Sequence, residues 1–128
     1  MFNPIQQYLD SLSRLKELEV DLVLPGHGQV FTGHRKRIEE MFEHYQQKSL
    51  IVLDTYKKEQ KALTAYQIAC VLPWTPGSRT VSWEKLGSWD KRFAMLQTIA
   101  LLEQLAFSGK LGKLNIDGIN LYKLENLG

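Results

Sequence analysis

His27 is the side chain in this sequence best placed to do chemistry. It stands between two glycines in Asp21-Leu22-Val23-Leu24-Pro25-Gly26-His27-Gly28, where a short apolar run ends at a Pro-Gly breaker. Such a run reads as a buried strand that stops abruptly and delivers one imidazole into a loop. Glycine on both sides removes neighbouring side chains and permits φ > 0, so the backbone can turn tightly and a bulky group can approach the ring. Metal ligands are commonly presented in this way. The other histidines are His34 and His44, and no two of the three are spaced as His-x-His. A catalytic zinc needs three protein ligands and an open fourth position, so His27 supplies at most one of them. The one cysteine, Cys70, lies between Ala69 and Val71 on a predicted helix and reads as a small buried thiol rather than a nucleophile. A lone cysteine forms no internal disulfide, which agrees with a reducing compartment.

The element that must position His27 starts with a predicted helix from Asn3 to Glu19, Asn3 capping it and Pro4 taking the first helical position. Ile5, Tyr8, Leu9, Leu12, Leu15 and Leu18 recur every three or four residues, giving one apolar stripe. Val20 to Leu24 follow as a strand that is apolar on both faces except at Asp21. The run Leu15-Lys16-Glu17-Leu18-Glu19-Val20-Asp21-Leu22-Val23-Leu24-Pro25-Gly26-His27-Gly28 resembles the last helix, last strand and last metal-ligand loop of metallo-β-lactamase-fold hydrolases. Residues from about Gly33 onward resemble the winged-helix tail of one branch of that superfamily, the branch of β-lactamase-like protein 2 and the glyoxalase-II-like hydrolases.

The resemblance covers nearly the whole chain but only the end of a family member. In the family the catalytic centre is built on an upstream His-x-His-x-Asp-His segment, a further His, a bridging Asp and the final His. Only that final His has a counterpart here, His27. The resemblance therefore implies a C-terminal part of a hydrolase with no complete centre of its own. The parent would use one or two zinc ions to generate hydroxide for attack on an ester or thioester carbonyl, or on a phosphodiester. This chain alone is not expected to hold zinc stably. The expected partner of the apolar stripe and strand edges within residues 1–24 is the catalytic domain or a second copy of the chain.

Residues 34–128 read as a separate domain after a remnant spanning 1–33. A helix runs from about His34 to Lys61, with Arg35/Glu39 and Lys36/Glu40 paired on its exposed side. In the family the tail carries a His-Arg pair near this point, which implies cleft or substrate contacts for His34 and Arg35. A solvated, charged helix start accounts for both equally well. Leu63-Thr64 begins a third helix, Thr64 and Gln67 forming a capping box and Pro73 ending it. Residues 74–89 hold all three tryptophans and are expected to be irregular, with a short helical turn near Ser82 to Leu86 fixed by tryptophan packing; a tryptophan-lined ligand groove is the sharper alternative. Asp90 caps a fourth helix running to Ser108, where Gly109 stops it. Asp117-Gly118 then marks a two-residue hairpin turn that sets Ile116 beside Ile119 and Leu114 beside Leu121.

The expected fold is therefore mainly α: a winged-helix-like domain of three helices and a β-hairpin wing, preceded by an orphan helix and strand from a metallo-β-lactamase αβ/βα fold. A stand-alone winged-helix regulator of nucleic acid is the alternative class, and the charges argue against it. Net charge is +2 over 128 residues. Residues 1–33 hold two basic against four acidic groups, and 34–63 and 64–128 each hold seven against five, so no segment is a basic patch. Between Phe93 and Ser108, the formal recognition helix, there is no Lys or Arg, and Met95, Leu96, Ile99, Leu101, Leu102, Leu105 and Phe107 surround the axis. Base readers expose polar and basic groups there, whereas a helix apolar all round is covered on every side. Lys110, Lys113 and Lys123 on or near the wing remain the candidate phosphate contacts. No run approaches the ~18 apolar residues of a membrane span. The start lacks a signal peptide's regions, so a cytoplasmic setting is expected.

Overall fold

The computed structural model describes residues 4–125. The elements are α1 (Pro4–Glu17), α2 (His34–Glu59), β1 (Leu63–Thr64), α3 (Ala65–Val71), a 3-10 turn at Trp83–Lys85, α4 (Ser88–Phe107), β2 (Leu111–Ile116) and β3 (Ile119–Leu124). The architecture is mainly helical, with one small antiparallel sheet in the order β1-β3-β2. Its contacts divide it into two compact units, Met1–Lys48 and Ser49–Gly128.

In the first unit α1 follows the expected stripe: Leu12 is buried, and Ile5 and Leu9 are half-buried. The expected cap Asn3 lies outside the described residues. Arg14 and Lys16 occupy the last turn, where positive charge meets the negative end of the helix dipole. The predicted strand at Val20 to Leu24 is reduced to a single antiparallel bridge, Val23 to Phe31, with bonds of 2.7 and 3.2 Å. A ladder needs a partner for every second residue. Among the described residues Phe31 is the one partner offered, and Leu22 and Leu24 are exposed.

The second unit is built around Val52 and Tyr56 of α2, Leu63, Ile68 and Leu72, Leu101, Leu102 and Leu105 of α4, Leu111 and Tyr122, all buried. Thr64 is extended, and its hydroxyl accepts from the Gln67 N–H while the Gln67 side chain accepts from the Thr64 N–H, so the expected capping box forms. Leu63 and Thr64 do not begin a helix, however. They make a short strand paired with Tyr122 and Leu121. The hairpin has the expected register, Ile116 opposite Ile119 and Leu114 opposite Leu121. Asp117 and Gly118 both take positive φ, 53° and 83°, as a two-residue turn between twisted strands requires. Asp90 is not the cap of α4; the helix begins at Ser88 after an extended Gly87. Asp90 sits in the first turn, where its charge favours the helix N-terminus. Trp74 and Trp83 are buried and the Trp74 indole donates to Ala69 O at 2.9 Å, but Trp89 is 72% exposed.

Burial, reinforced by Glu103, holds the Tyr122 phenol up to about 12. Burial, with Tyr122 adding to it, also raises Tyr56, whose hydroxyl donates to Leu63 O. The unfolded chain releases both protons near pH ~10 and the folded chain only later, so the folded state binds more protons in that window. Stability is therefore complete below pH ~10 and falls as pH rises through the folded values. Tyrosinate absorbance of these two phenols should appear together with loss of the circular dichroism signal, and Tyr122→Phe should make the alkaline loss shallower. Ionisation of all five tyrosines near their ordinary value with the fold intact would contradict this.

Candidate metal-ligand loop

His27 sits at the tip of the loop closed by the Val23–Phe31 bridge. The ring is exposed, and Gly28 beside it takes φ 89°, the left-handed conformation that the flanking glycine was expected to allow. Among the described residues nothing fills the space where a side chain would stand at Gly26 or Gly28, on either side of the exposed His27. Among the described residues no group of three or more His, Cys, Asp or Glu side chains gathers to hold a metal ion. The loop thus offers one accessible donor and no cage. That donor set does not fit a zinc ion by itself, because a zinc site takes three or four protein ligands.

His34 and Arg35 open α2 just after Gly33, whose φ of 75° turns the chain into the helix. Both side chains reach back to the end of α1. His34 is buried and its Nε2 lies 2.8 Å from Leu18 O, so that nitrogen carries the proton and donates. Arg35 donates through Nε to Lys16 O at 2.9 Å and through Nη2 to Leu18 O at 3.1 Å. The last carbonyls of a helix have no partner within it, and these two side chains satisfy them. Lys16 also pairs with Glu39 of α2 at 2.9 Å, and that neighbour holds the Glu39 carboxyl below its usual range. The expected i,i+4 pairing of Arg35 with Glu39 is thus replaced by one to Lys16.

This clamp fixes where the segment carrying His27 leaves α1, and periodicity does not reveal it. The usable signal is a His-Arg pair directly after a helix-starting glycine, two donors suited to orphan carbonyls. Arg35→Ala removes a bond to Lys16 O and one of the two side-chain bonds to Leu18 O, both at the exposed surface, and should cost about 0.5–1.5 kcal/mol. Limited proteolysis checks it: cleavage after Lys16 should accelerate, and an unchanged digestion pattern would show that the clamp holds nothing.

The remaining candidates are dispersed. His44 is exposed on α2. Lys113 Nζ donates to Glu103 of α4 at 2.6 Å, while Lys110 and Lys123 are exposed. Cys70 is half-exposed rather than buried. Tyr66, Trp83, Lys91, Arg92, Met95 and Leu96 line a shallow trough of about 510 Å³, with the Lys91 ammonium 5.7 Å from the Trp83 ring. One tryptophan faces this trough, not three.

No protein-family model matches the sequence. Two solved structures are similar to it. A β-lactamase domain protein from Burkholderia ambifaria shares 29% identity over 96% of this chain with a TM-score of 0.78. A metallo-β-lactamase family protein from Thermus thermophilus shares 25% identity over 95% of it with a TM-score of 0.71. The chain spans 34% of each of those chains, about a third of the length of the two proteins it is similar to.

Proposed function

We propose that this chain is the closing portion of a zinc-dependent hydrolase of the metallo-β-lactamase superfamily, in the branch of β-lactamase-like protein 2 and the glyoxalase-II-like enzymes. His27 supplies one ligand to a centre whose other ligands lie outside these residues. The observation that carries the reading is the likeness to a β-lactamase domain protein over 96% of the chain, combined with an exposed imidazole at the tip of a glycine-flanked loop. The reaction class is hydrolysis of an ester, thioester or phosphodiester. His34 and Arg35 act as positioning residues: their bonded nitrogens are committed to α1 carbonyls, so they serve the cleft through the backbone they hold.

Residues 34–128 form a winged-helix-like domain in this reading, with α4 in the place of the recognition helix and β2–β3 as the wing. Its role is to frame the cleft and pack on protein, with residues 1–24 meeting the catalytic domain. The order α2, β1, α3, α4, β2, β3 supports that plan. Use of the wing on nucleic acid is disfavoured by the Lys113–Glu103 pair and by the tryptophan, phenylalanine and leucine on the outer side of α4.

Incubating the chain with zinc and a chromogenic thioester should give no turnover above buffer, because one imidazole does not assemble a centre. Turnover by this chain alone would overturn the assignment of the remaining ligands to another part of the polypeptide.

A further inference from the structure

Helix α4 has two apolar faces. Ala94, Thr98, Leu101, Leu102 and Leu105 are buried on the inner one. On the outer one Trp89, Phe93, Leu96 and Phe107 are 72, 58, 64 and 58% exposed. Trp89, Phe93, Leu96, Ala100, Glu103 and Phe107 follow one another at intervals of four, three, four, three and four residues, the spacing of a seam made against another helix. The stripe runs the length of a 20-residue helix, about 30 Å. Exposed large apolar side chains clustered at Trp89, Phe93 and Leu96, with Phe107 at the far end beyond Glu103, are of the kind that mark an interaction site.

The order of residues along the stripe selects its occupant. We propose that the outer face of α4 pairs with the same face of a second copy of this chain, antiparallel, about a two-fold axis at the level of Thr98. That axis sets Trp89 against Phe107 and the large Leu96 against the small Ala100, so the face is complementary to itself, as an isologous contact requires. Charge selects the direction. The two charged residues beside or within the stripe are Arg92 and Glu103, of opposite sign and near opposite ends. An antiparallel pair brings Arg92 of one copy beside Glu103 of the other, whereas a parallel pair sets Arg92 against Arg92. Arg92 makes a cation–π contact with Trp89 at 5.4 Å, and Glu103 accepts from Lys113 while its side chain stays 29% exposed. This pairing is independent of the metal-ligand reading of His27.

Sedimentation of the full chain across the micromolar range tests it. The expected result is a reversible dimer that Leu96→Glu weakens at least tenfold and that Ile116→Lys, at the exposed wing tip, leaves in place. The register adds a sharper readout: position 93 faces Glu103 of the other copy, so Phe93→Lys should retain more dimer than Phe93→Glu. Both positions are solvent-exposed, so circular dichroism should be unchanged in every variant. A monomer throughout the range overturns the proposal and leaves the stripe to a different polypeptide segment. A dimer indifferent to Leu96→Glu, or equally weakened by the two position-93 variants, overturns it as well.

Discussion

Replacing Leu102 with alanine is expected to lower the unfolding free energy by about 2–5 kcal/mol, the range for a fully buried leucine whose site collapses only partly. Leu102 has no exposed surface and lies on the side of α4 that packs against α3 and β2. The same truncation at Leu96, six residues earlier, should stay within about 0.5 kcal/mol when measured at a protein concentration low enough for the chain to be monomeric, because that side chain is then mostly in water. Urea titration of the two variants checks the difference. Equal losses at that dilution would mean that the outer face of α4 is not solvent-exposed in the monomer and would remove the basis for placing a partner there.

The second large effect concerns His27. Under the proposed function, a chimera in which this chain replaces the matching third of the Burkholderia protein should have a complete metal centre and hydrolytic activity. His27→Ala should then reduce the rate by more than about 10–100-fold, the loss that follows removal of an outer group around a metal. Arg35→Ala in the same chimera should fall within that smaller range, because it acts through the α1 carbonyls it holds. The ordering of the two losses separates a ligand from a positioning residue.

What was legible in the sequence was local. The Thr64/Gln67 box, the Asp117-Gly118 turn and the hairpin register each depend on residues within a few positions of one another, so their chemistry fixes their geometry wherever they occur. Helix α2 was likewise readable, ending at Glu59 rather than Lys61. The failures involve partners distant in sequence. Leu63 pairs with Tyr122, nearly sixty residues on, and no local pattern distinguishes that two-residue strand from the first turn of the helix it precedes. Val20 to Leu24 carry the signature of an interior strand, but a ladder forms only where neighbouring strands exist, and among the described residues Val23 makes a single bridge, to Phe31. Asp90 reads as a cap because it is the better capping residue; the extended backbone at Gly87 starts the helix three residues earlier.

The candidate site was legible in a different sense. A glycine-bracketed histidine after an apolar run is recognisable from residue types, and the structure exposes it on the expected loop. The clamp from His34 and Arg35 was not, since it depends on where α1 ends in space. Two donors that read as a charged helix start are in fact spent on backbone carbonyls. The apolar circumference of α4 was visible as composition. Only its division into a buried face and a heptad-spaced outer face needed the structure.

In the proposed assignment, the imidazole of His27 belongs to a metal centre completed by residues beyond this chain. The decisive quantity is the metal content of the purified chimera, measured for the parent and for His27→Ala after the same dialysis. Bound zinc per chain should drop in the alanine variant while the folded signal is unchanged; equal zinc in the two proteins would refute the assignment.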